Sequence, residues 1–482
     1  MSGEANNWSV AREACFSPEA EVRSRALELY EEVADLPIVS PHGHLSAALF
    51  SGDHDHPTDP ASLFVTGDHY VTRLLYAHGV PYEELGVPPR DGAAHERDPR
   101  QVWRRFCDRF HLFDGTPTGL WLKLTLVRVF GVDERPSAQN ADRLFDRLSE
   151  ALASAEFAPR QLLKRFAVEH LATTDPATAS LDDHAACQAA GFGVVPTFRP
   201  DALMQLNDPQ WTQQLGVLSE RVGFTIDSLA AFVEALRRRR LEFRERGATS
   251  SDHGVTSAFV DPLDNDHAAV IFDRARSGQV GPEEAGRFHS HMLFEMAHMA
   301  TEDGLVMQLH LGSLRNHHQR VMERFGPNMG ADVPVAVDLT RGLQPLLNAF
   351  GHDQRFRLVV YTLDESTYGR ELAPLAGHYP ALRLGGPWWF HDSVHGIERY
   401  LAATAETAGF HKLAGFVDDA RSLPTLRARH DVWRRVTCDW LARLELRGLL
   451  DAESAPRLAN WLAYGAAKDA FRVPSRAAAA AG

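Results

Sequence analysis

Eight short apolar runs constrain the fold of this chain more than any other sequence feature. Each run is followed by a polar or glycine-containing loop and then by a helical stretch, which is typical of a buried parallel strand. The runs are PIVS near 37–40, EHLAT near 169–173, GVVPT near 193–197, GATSS near 247–251, LVMQLH at 305–310, FRLVVYT at 356–362, ALRLGG at 381–386 and AGFVD at 414–418.

The alternation of strands and helices predicts an α/β protein with a parallel sheet, and eight such units predict a closed (β/α)₈ TIM barrel. A doubly wound open sheet is the alternative, but no GxGxxG follows the first strand. We expect four parts: an N-terminal helical segment at 1–35, a barrel formed by 36–50 and 166–435, a helical insertion at 51–165, and C-terminal helices with a low-complexity tail at 436–482.

Charge and cysteine content limit the partners and the compartment. The net charge is −14, whereas a nucleic-acid footprint is normally basic, so no nucleic-acid partner is expected. The four cysteines are scattered without a CxxC pair, which favours a reducing compartment. No signal peptide is visible, and no apolar run reaches the roughly 18–20 residues that cross a bilayer. We therefore expect a cytoplasmic protein without a membrane partner.

Polar residues at the carboxyl ends of the runs are candidates for a site, because barrel chemistry lies where the strands end. His42 and His44 follow the first run, and residues two apart on a strand point the same way, so both imidazoles could bind one divalent ion. Such a pair also arises by chance in a chain with 24 histidines. Asp252, His310 and Asp419 follow the fourth, fifth and eighth runs, where His310 and Asp419 could supply further ligands. The joint pattern predicts a metal site at this end of the barrel.

Three arginines and two tryptophans follow other runs. Arg199, Arg315 and Arg421 could hold a substrate carboxylate through bidentate hydrogen bonds, although each alone could equally form a surface ion pair. Trp388 and Trp389 could form an apolar wall against a sugar ring, or simply pack the barrel rim. The pattern therefore predicts a binding site for an anionic substrate beside the metal site.

These motifs together resemble those of the uronate isomerase family, also called glucuronate isomerases, a branch of the amidohydrolase superfamily. The resemblance implies a distorted (β/α)₈ barrel with a helical insertion after the first strand. It also implies conversion of D-glucuronate to D-fructuronate and of D-galacturonate to D-tagaturonate. The matching segments occur in the family's order across residues 30–430, and they are LPIVSPHGHLS, GDHYVTRLL, ATTDPATASLDDH, VVPTFRPD, SSDHG, MQLHLGSLRN, GGPWWFHD and FVDDARSL.

The resemblance further implies a role for each site residue. A homo-oligomer is also expected, because barrels of this sort commonly associate. One divalent metal, zinc with manganese or iron as alternatives, is expected on His42, His44 and Asp419. The reaction moves a proton from C2 to C1 through a cis-enediol, which needs a base and stabilisation of an oxyanion. Asp419 and Tyr70 compete for that proton transfer. The expected catalytic residues are Asp419, Tyr70 and His310, and the expected substrate-binding residues are Arg199, Arg315, Arg421, Asp252, Trp388 and Trp389.

The chain departs from the family's pattern in three segments, so the preferred uronate stays open. GTPTGLWLKLTL places Lys123 and Thr125 where relatives are more polar, Ala420 replaces a serine, and HDSVHG follows Trp389. Two other functions remain as alternatives. One is a mononuclear metal-dependent hydrolase of the same superfamily that acts on a carboxylate-bearing substrate. The other is a protein that binds a sugar acid without catalysing a reaction. Binuclear hydrolases usually need a lysine from the fourth strand, where SSDHG offers Asp252.

Overall fold

The computed structural model describes residues 8–52, 56–255, 257–389 and 391–474. The low-complexity tail at 475–482 lies outside the described residues. So do residues 1–7, which are part of the segment searched for a signal peptide. Eleven strands occur in the described part of the chain, and they are β1 (Ile38–Ser40), β2 (Val168–Ala172), β3 (Asp175–Pro176), β4 (Val194–Val195), β5 (Phe198–Arg199), β6 (Ser250–Gly254), β7 (Val306–Leu311), β8 (Ser313–Leu314), β9 (Val333–Pro334), β10 (Leu358–Thr362) and β11 (Leu382–Leu384).

Parallel pairing arranges these strands as a (β/α)₈ barrel, which confirms the predicted fold. One sheet has the order β1-β2-β4, and the other has the order β11-β10-β7-β6-β5-β3. β2 with β3 and β4 with β5 are successive pieces of two barrel strands. The second of these is interrupted at Pro196, which has no N–H to donate to a ladder. β8 and β9 form a separate antiparallel hairpin.

The eighth predicted run, 414–418, completes the ring without forming a regular strand. Ala414 N donates to Leu384 O at 2.8 Å on one side, and His44 N donates to Ala420 O at 3.0 Å on the other. The ladder is interrupted because Gly415 and Asp419 have φ of +77° and +48°. A Cβ on Gly415 would lie 2.9 Å from Ala467 N of a C-terminal helix, so this close approach requires glycine.

The fourth strand begins and ends three residues later than predicted. The run was expected at 247–251, whereas β6 spans Ser250–Gly254. Asp252 and His253 do not match an apolar pattern, yet both are fully buried. Inside the barrel, Gln308 donates to Ser250 Oγ at 3.0 Å and lies 3.3 Å from Tyr361 OH. Because side chains two apart on a strand share a face, Asp252 and His310 point inward one layer closer to the carboxyl ends.

Helices surround the barrel and fill the insertion. The helices before the second barrel strand are α1 (Ala20–Val33), α2 (Ala48–Ser51), α3 (His69–Ala77), α4 (Pro99–Asp108), α5 (Pro117–Arg128), α6 (Ala141–Ala153) and α7 (Pro159–Arg165). The helices between the second barrel strand and the closing segment are α8 (Asp182–Ala189), α9 (Asp201–Met204), α10 (Trp211–Val222), α11 (Leu229–Glu245), α12 (Asn265–Arg276), α13 (Pro282–Asp303), α14 (Gln319–Phe325), α15 (Leu339–Gly342), α16 (Gln344–Phe350), α17 (Ala373–His378) and α18 (Val394–Ala408). The C-terminal helices are α19 (Leu426–Leu446), α20 (Ser454–Asn460) and α21 (Ala466–Ala470).

Several short helical turns of other types connect these elements. Turns of π-helix occur at Ser62–Thr66, Tyr368–Leu372 and Trp461–Gly465. Turns of 3₁₀-helix occur at Tyr82–Leu85, Phe110–Phe113, Ala155–Phe157, Phe410–Lys412 and Leu423–Thr425. Within the described ranges, no helix is both long enough and apolar enough to cross a membrane.

A second hydrophobic core joins the helices at 51–165 to one side of the barrel, and α3 lies against the barrel site. Trp103, Phe106 and Phe64 are fully buried in this second core. α3 begins at His69, and the side chain of Asp68 caps the helix by accepting from Tyr70 N at 2.8 Å. This capping explains why GDHY starts a helix, and it directs the first turn toward the closing segment of the barrel.

Candidate active site

His42 and His44 leave the end of β1 and meet Asp419 from the closing segment. Asp419 Oδ1 lies 2.9 Å from His44 Nε2 and 3.8 Å from His42 Nε2. The loop around Gly43 is held by Thr174, whose hydroxyl donates to Gly43 O at 2.9 Å. The structure therefore brings together the three residues that the sequence predicts as metal ligands.

The protonation states of this group suit a divalent cation. Burial lowers the pKa of His42 to about 3, so its imidazole is neutral at neutral pH. Burial alone would raise the pKa of Asp419, but His44, His42 and Arg421 hold it well below the usual range. A neutral imidazole and an ionised carboxylate are the ligand forms that metals require. Among the described residues, His42 Nδ1 is also buried without a hydrogen-bond partner.

Two sets of side chains could hold an ion, and they share His42. One set is His42, His44 and Asp419, and the other is His42, Asp252 and His310, with ligand atoms in each set within 4.8 Å of one another. Asp252 and His310 already contact each other at 2.6 Å, and Arg199 lies beside Asp252. Because Asp252 already forms an ion pair with Arg199 at 3.1 Å, we take the first set as the candidate metal site.

A buried network of polar contacts joins His310, Asp252 and Arg199. His310 Nδ1 lies 2.6 Å from Asp252 Oδ1, and Arg199 Nη1 lies 3.1 Å from Asp252 Oδ2. Burial alone would raise the pKa of Asp252, but Arg199 and His310 lower it well below its usual range. The ionised Asp252 therefore accepts a hydrogen bond from His310 Nδ1, which assigns His310 Nε2 as the nitrogen free to act on a substrate. Arg199 also binds Asp201 at 2.8 Å.

Tyr70 reaches the site from the insertion. Its hydroxyl lies 3.3 Å from Asp419 Oδ2, although the two residues are 349 positions apart. Burial first, and then the charges of Asp392 and Asp419, raise the pKa of Tyr70 well above its usual value, so it is a neutral phenol that can donate a proton. Its ring contacts Trp389 with centroids 4.7 Å apart and Trp121 with centroids 5.7 Å apart.

The two tryptophans predicted to line the site contact its polar residues. Trp388 packs edge-on against His310 with centroids 5.2 Å apart, and its indole N–H is buried without an acceptor in the described part of the chain. Trp389 adopts a φ of +59° and contacts the rings of His69 and Tyr70. Tyr361 also stacks on His310, with centroids 4.3 Å apart. These rings form an apolar enclosure around the histidine.

The three predicted substrate-binding arginines lie in different environments. Arg199 is engaged with Asp252 and Asp201, as described above. Arg421 lowers the pKa of Asp419 and borders a cavity of about 130 Å³ between the insertion and the barrel. Arg315 lies beside the β8–β9 hairpin, with its side chain 41% exposed and Nη1 3.5 Å from Asp332. The described contacts thus place Arg199 and Arg421 with the histidine cluster and Arg315 with Asp332, and its substrate-binding role stays a prediction.

Two residues near the site were missed at the sequence level. His69 precedes Tyr70 in GDHYVTRLL, and its ring lies 4.3 Å from that of Trp389. Trp121 belongs to GTPTGLWLKLTL, one of the segments that depart from the family's pattern. The membership of His69 in the same motif as Tyr70 could have identified it. No sequence signal relates Trp121 to Tyr70, because this contact depends on how α5 packs against α3.

Replacing Thr174 by valine should weaken metal binding by about tenfold, because the supports of metal ligands typically contribute 10–100-fold to affinity. Valine keeps the shape of threonine but cannot donate to Gly43 O, so the loop carrying both histidines loses one restraint. Competition with a chromophoric chelator measures the zinc affinity. Thr178→Val is the matched control, since the Thr178 hydroxyl donates to Gln214 Oε1 at 3.3 Å instead. Equal zinc affinities for the two variants would contradict this prediction.

Comparisons with known proteins bear on the whole chain. The profile of the glucuronate isomerase family matches residues 20–471. A uronate isomerase of Nostoc punctiforme is 47% identical over 96% of this chain and 98% of its own length. A uronate isomerase of Rhizobium meliloti is 45% identical over 95% of this chain and 98% of its own length. The crystal structure of a glucuronate isomerase from Caulobacter crescentus superposes with a TM-score of 0.95 at 42% identity, covering 97% of this chain and 98% of that one.

Proposed function

The chain belongs to the glucuronate isomerase family and is an isomerase of hexuronates, and on that premise we propose how its own residues carry the reaction. We propose that it converts D-glucuronate to D-fructuronate and D-galacturonate to D-tagaturonate by moving a proton from C2 to C1. One observation carries the assignment: the buried Asp419 carboxylate contacts His44 at 2.9 Å and the Tyr70 hydroxyl at 3.3 Å. Asp419 therefore lies between the histidines and a phenol, so a base and an acid are available side by side.

Asp419 and Tyr70 divide the proton transfers in this proposal. Asp419 is ionised, because the neighbouring histidines and Arg421 lower its pKa, so it can take the proton from C2 and return it to C1. Tyr70 stays protonated, because burial raises its pKa, so it can donate to the oxygen on C1 as negative charge develops there, and it regains a proton from the C2 hydroxyl as the C2 carbonyl forms. A fixed donor in a site screened from water is most effective at this step.

The remaining residues orient the substrate. His310, held through Nδ1 by the ionised Asp252, presents Nε2 toward the hydroxyl groups of the substrate. Arg421 would bind the C6 carboxylate, with Arg315 as a second candidate. Trp388 would pack against the sugar and donate its indole N–H. These roles are proposals supported by the burial and contacts described above.

We further propose that His42, His44 and Asp419 hold one divalent ion, with zinc ahead of manganese and iron. The fit rests on the neutral His42 and the ionised Asp419, and on their common approach. A divalent ion bound there would polarise the carbonyl and hydroxyl oxygens of the substrate. We also propose a cytoplasmic enzyme, supported by four cysteines that are all thiols. The homo-oligomeric state stays a prediction.

The hydrolase alternative is not favoured, since the relatives that match nearly the full chain are uronate isomerases. The lysine that a binuclear hydrolase usually takes from the fourth strand is also missing from β6, which reads SSDHG.

Incubating the purified protein with D-glucuronate and with D-galacturonate in deuterated water tests the proposed function. We expect ketose formation from at least one uronate, with solvent deuterium at C1 because the proton passes through an exchangeable carboxyl group. Chelation should lower the rate, and added zinc should restore it. Absence of turnover on both uronates would overturn the proposed substrates. Ketose entirely free of deuterium would argue against transfer through Asp419.

A further inference from the structure

We infer that Arg429 is a positioning residue that holds the Asp419 turn and the Tyr70 ring in one arrangement through a single buried guanidinium. The inference rests on the roles proposed for Asp419 and Tyr70. Arg429 lies in the first turn of α19, is 2% exposed, and belongs to none of the motifs that indicated the site. Its contacts extend to the closing segment of the barrel and to two helices of the insertion.

The first contact fixes the backbone beside Asp419. Arg429 Nη1 donates to Asp418 O at 2.9 Å. The next residue, His430, places Nε2 3.1 Å from Asp418 Oδ2, and Asp418 Oδ1 accepts from Ala420 N at 3.0 Å. Asp419 has a φ of +48°, a conformation that an L-residue keeps only where its surroundings hold it. Two consecutive residues of one helix thus hold the turn that aims the Asp419 carboxylate.

The second contact fixes the Tyr70 ring. The guanidinium carbon of Arg429 lies 3.8 Å from the centroid of Trp121 and 5.0 Å from that of Tyr70. A guanidinium over an aromatic face is attracted by the negative charge of that face. Trp121 also packs edge-on against Tyr70. Arg429 therefore couples α5 and α3 to the residue before Asp419, and this coupling sets the 3.3 Å approach of Tyr70 to Asp419.

The Arg429 guanidinium also contacts the Asp392 carboxyl group, whose pKa burial raises to about 8, and this contact favours a positioning role over a stabilising one. Arg429 Nη1 lies 3.2 Å from Asp392 Oδ2, and both side chains are buried. Within the described ranges, Asp392 Oδ1 and Arg429 Nε have no hydrogen-bond partner. A buried ion pair with unsatisfied atoms contributes little or nothing to stability compared with apolar packing. The position of Arg429 explains its presence better, because one guanidinium contacts both the Tyr70 ring and the turn that carries Asp419.

Arg429→Lys, compared with Arg435→Lys, tests this role. A lysine cannot lie flat on Trp121 and also reach two oxygen atoms. Arg435 is the matched control: it is a 2% exposed arginine of the same helix, 4.2 Å from the Tyr30 ring centroid and 2.9 Å from Asp431, and it contacts the N-terminal segment instead of the site. Relative to Arg435→Lys, we expect Arg429→Lys to lower kcat roughly 30-fold with KM within about threefold, and to weaken zinc binding about tenfold.

Equal kcat and equal zinc affinity in the two lysine variants would overturn the inference. If Arg429→Lys cannot be purified folded, Asp392→Asn decides, because it loosens the same guanidinium without touching Asp418. Because Asp392 also acts on the pKa of Tyr70, zinc affinity is the measurement for this variant. We then expect a roughly tenfold loss of zinc affinity, and an unchanged zinc affinity would overturn the inference. A wild-type protein inactive on hexuronates would instead contradict the proposed function, and the zinc affinities would still decide the role of Arg429.

Discussion

Replacing Asp419 by asparagine is expected to lower kcat by about 10³-fold or more. Asparagine has nearly the same shape as aspartate but carries no charge and cannot take a proton from C2. The same carboxylate contacts His44 at 2.9 Å and the Tyr70 hydroxyl at 3.3 Å, so one substitution removes the proposed base and a proposed metal ligand. A thousandfold loss corresponds to about 4 kcal/mol of transition-state stabilisation.

Steady-state kinetics on both uronates at saturating zinc, together with the thermal midpoint, measure this effect. Asp431→Asn is the control. Asp431 lies on α19 and, like Asp419, pairs with basic side chains, here Arg435 at 2.9 Å, but its described contacts are with the N-terminal segment, α5 and α19. We expect the control to lower kcat by no more than about threefold, because Asp431 makes no described contact with the site. A folded Asp419→Asn variant with more than a tenth of wild-type kcat would exclude Asp419 as the proton carrier.

The barrel and part of the site could be predicted because local patterns carry them. The eight runs are short and apolar, and the polar residues that end them meet at one face for any parallel barrel. His42 and His44 could be paired from their spacing alone. Asp419 could be placed beside them only because the eighth run is adjacent to the first in a closed barrel. Their contact in the structure follows from topology more than from sequence neighbourhood.

The rest of the site depends on packing between distant segments. β6 was predicted three residues too early because Asp252 and His253 are polar, although the barrel buries them. Arg199 was expected to bind a carboxylate of the substrate, whereas here it pairs with Asp252, a carboxylate of the protein itself. Arg315 follows β7 as predicted but lies beside a hairpin and pairs with Asp332. An arginine's partner depends on which carboxylate the fold brings close to it, and periodicity does not reveal that.

Replacing Tyr70 by phenylalanine is expected to lower kcat by about 10²-fold while leaving zinc affinity unchanged. The phenyl ring can keep the contacts with Trp389, Trp121 and Arg429, so only the hydroxyl that lies 3.3 Å from Asp419 is lost. Without that donor, charge developing on the oxygen at C1 has no acid beside it. The KM should change little, because the proposed interaction strengthens only as the transition state forms.

Tyr361→Phe is the control for Tyr70→Phe. Tyr361 also lies in the site and stacks on His310, but its hydroxyl lies 3.3 Å from Gln308 Oε1, one layer deeper in the barrel. Losing this hydroxyl should reduce stability by about 1 kcal/mol and leave kcat within about threefold of wild type. Parallel measurement of kcat, KM, zinc affinity and thermal midpoint separates the two tyrosines. Equal losses of kcat in both variants would show that a hydroxyl anywhere among these rings matters, and Tyr70 would lose its role as the acid.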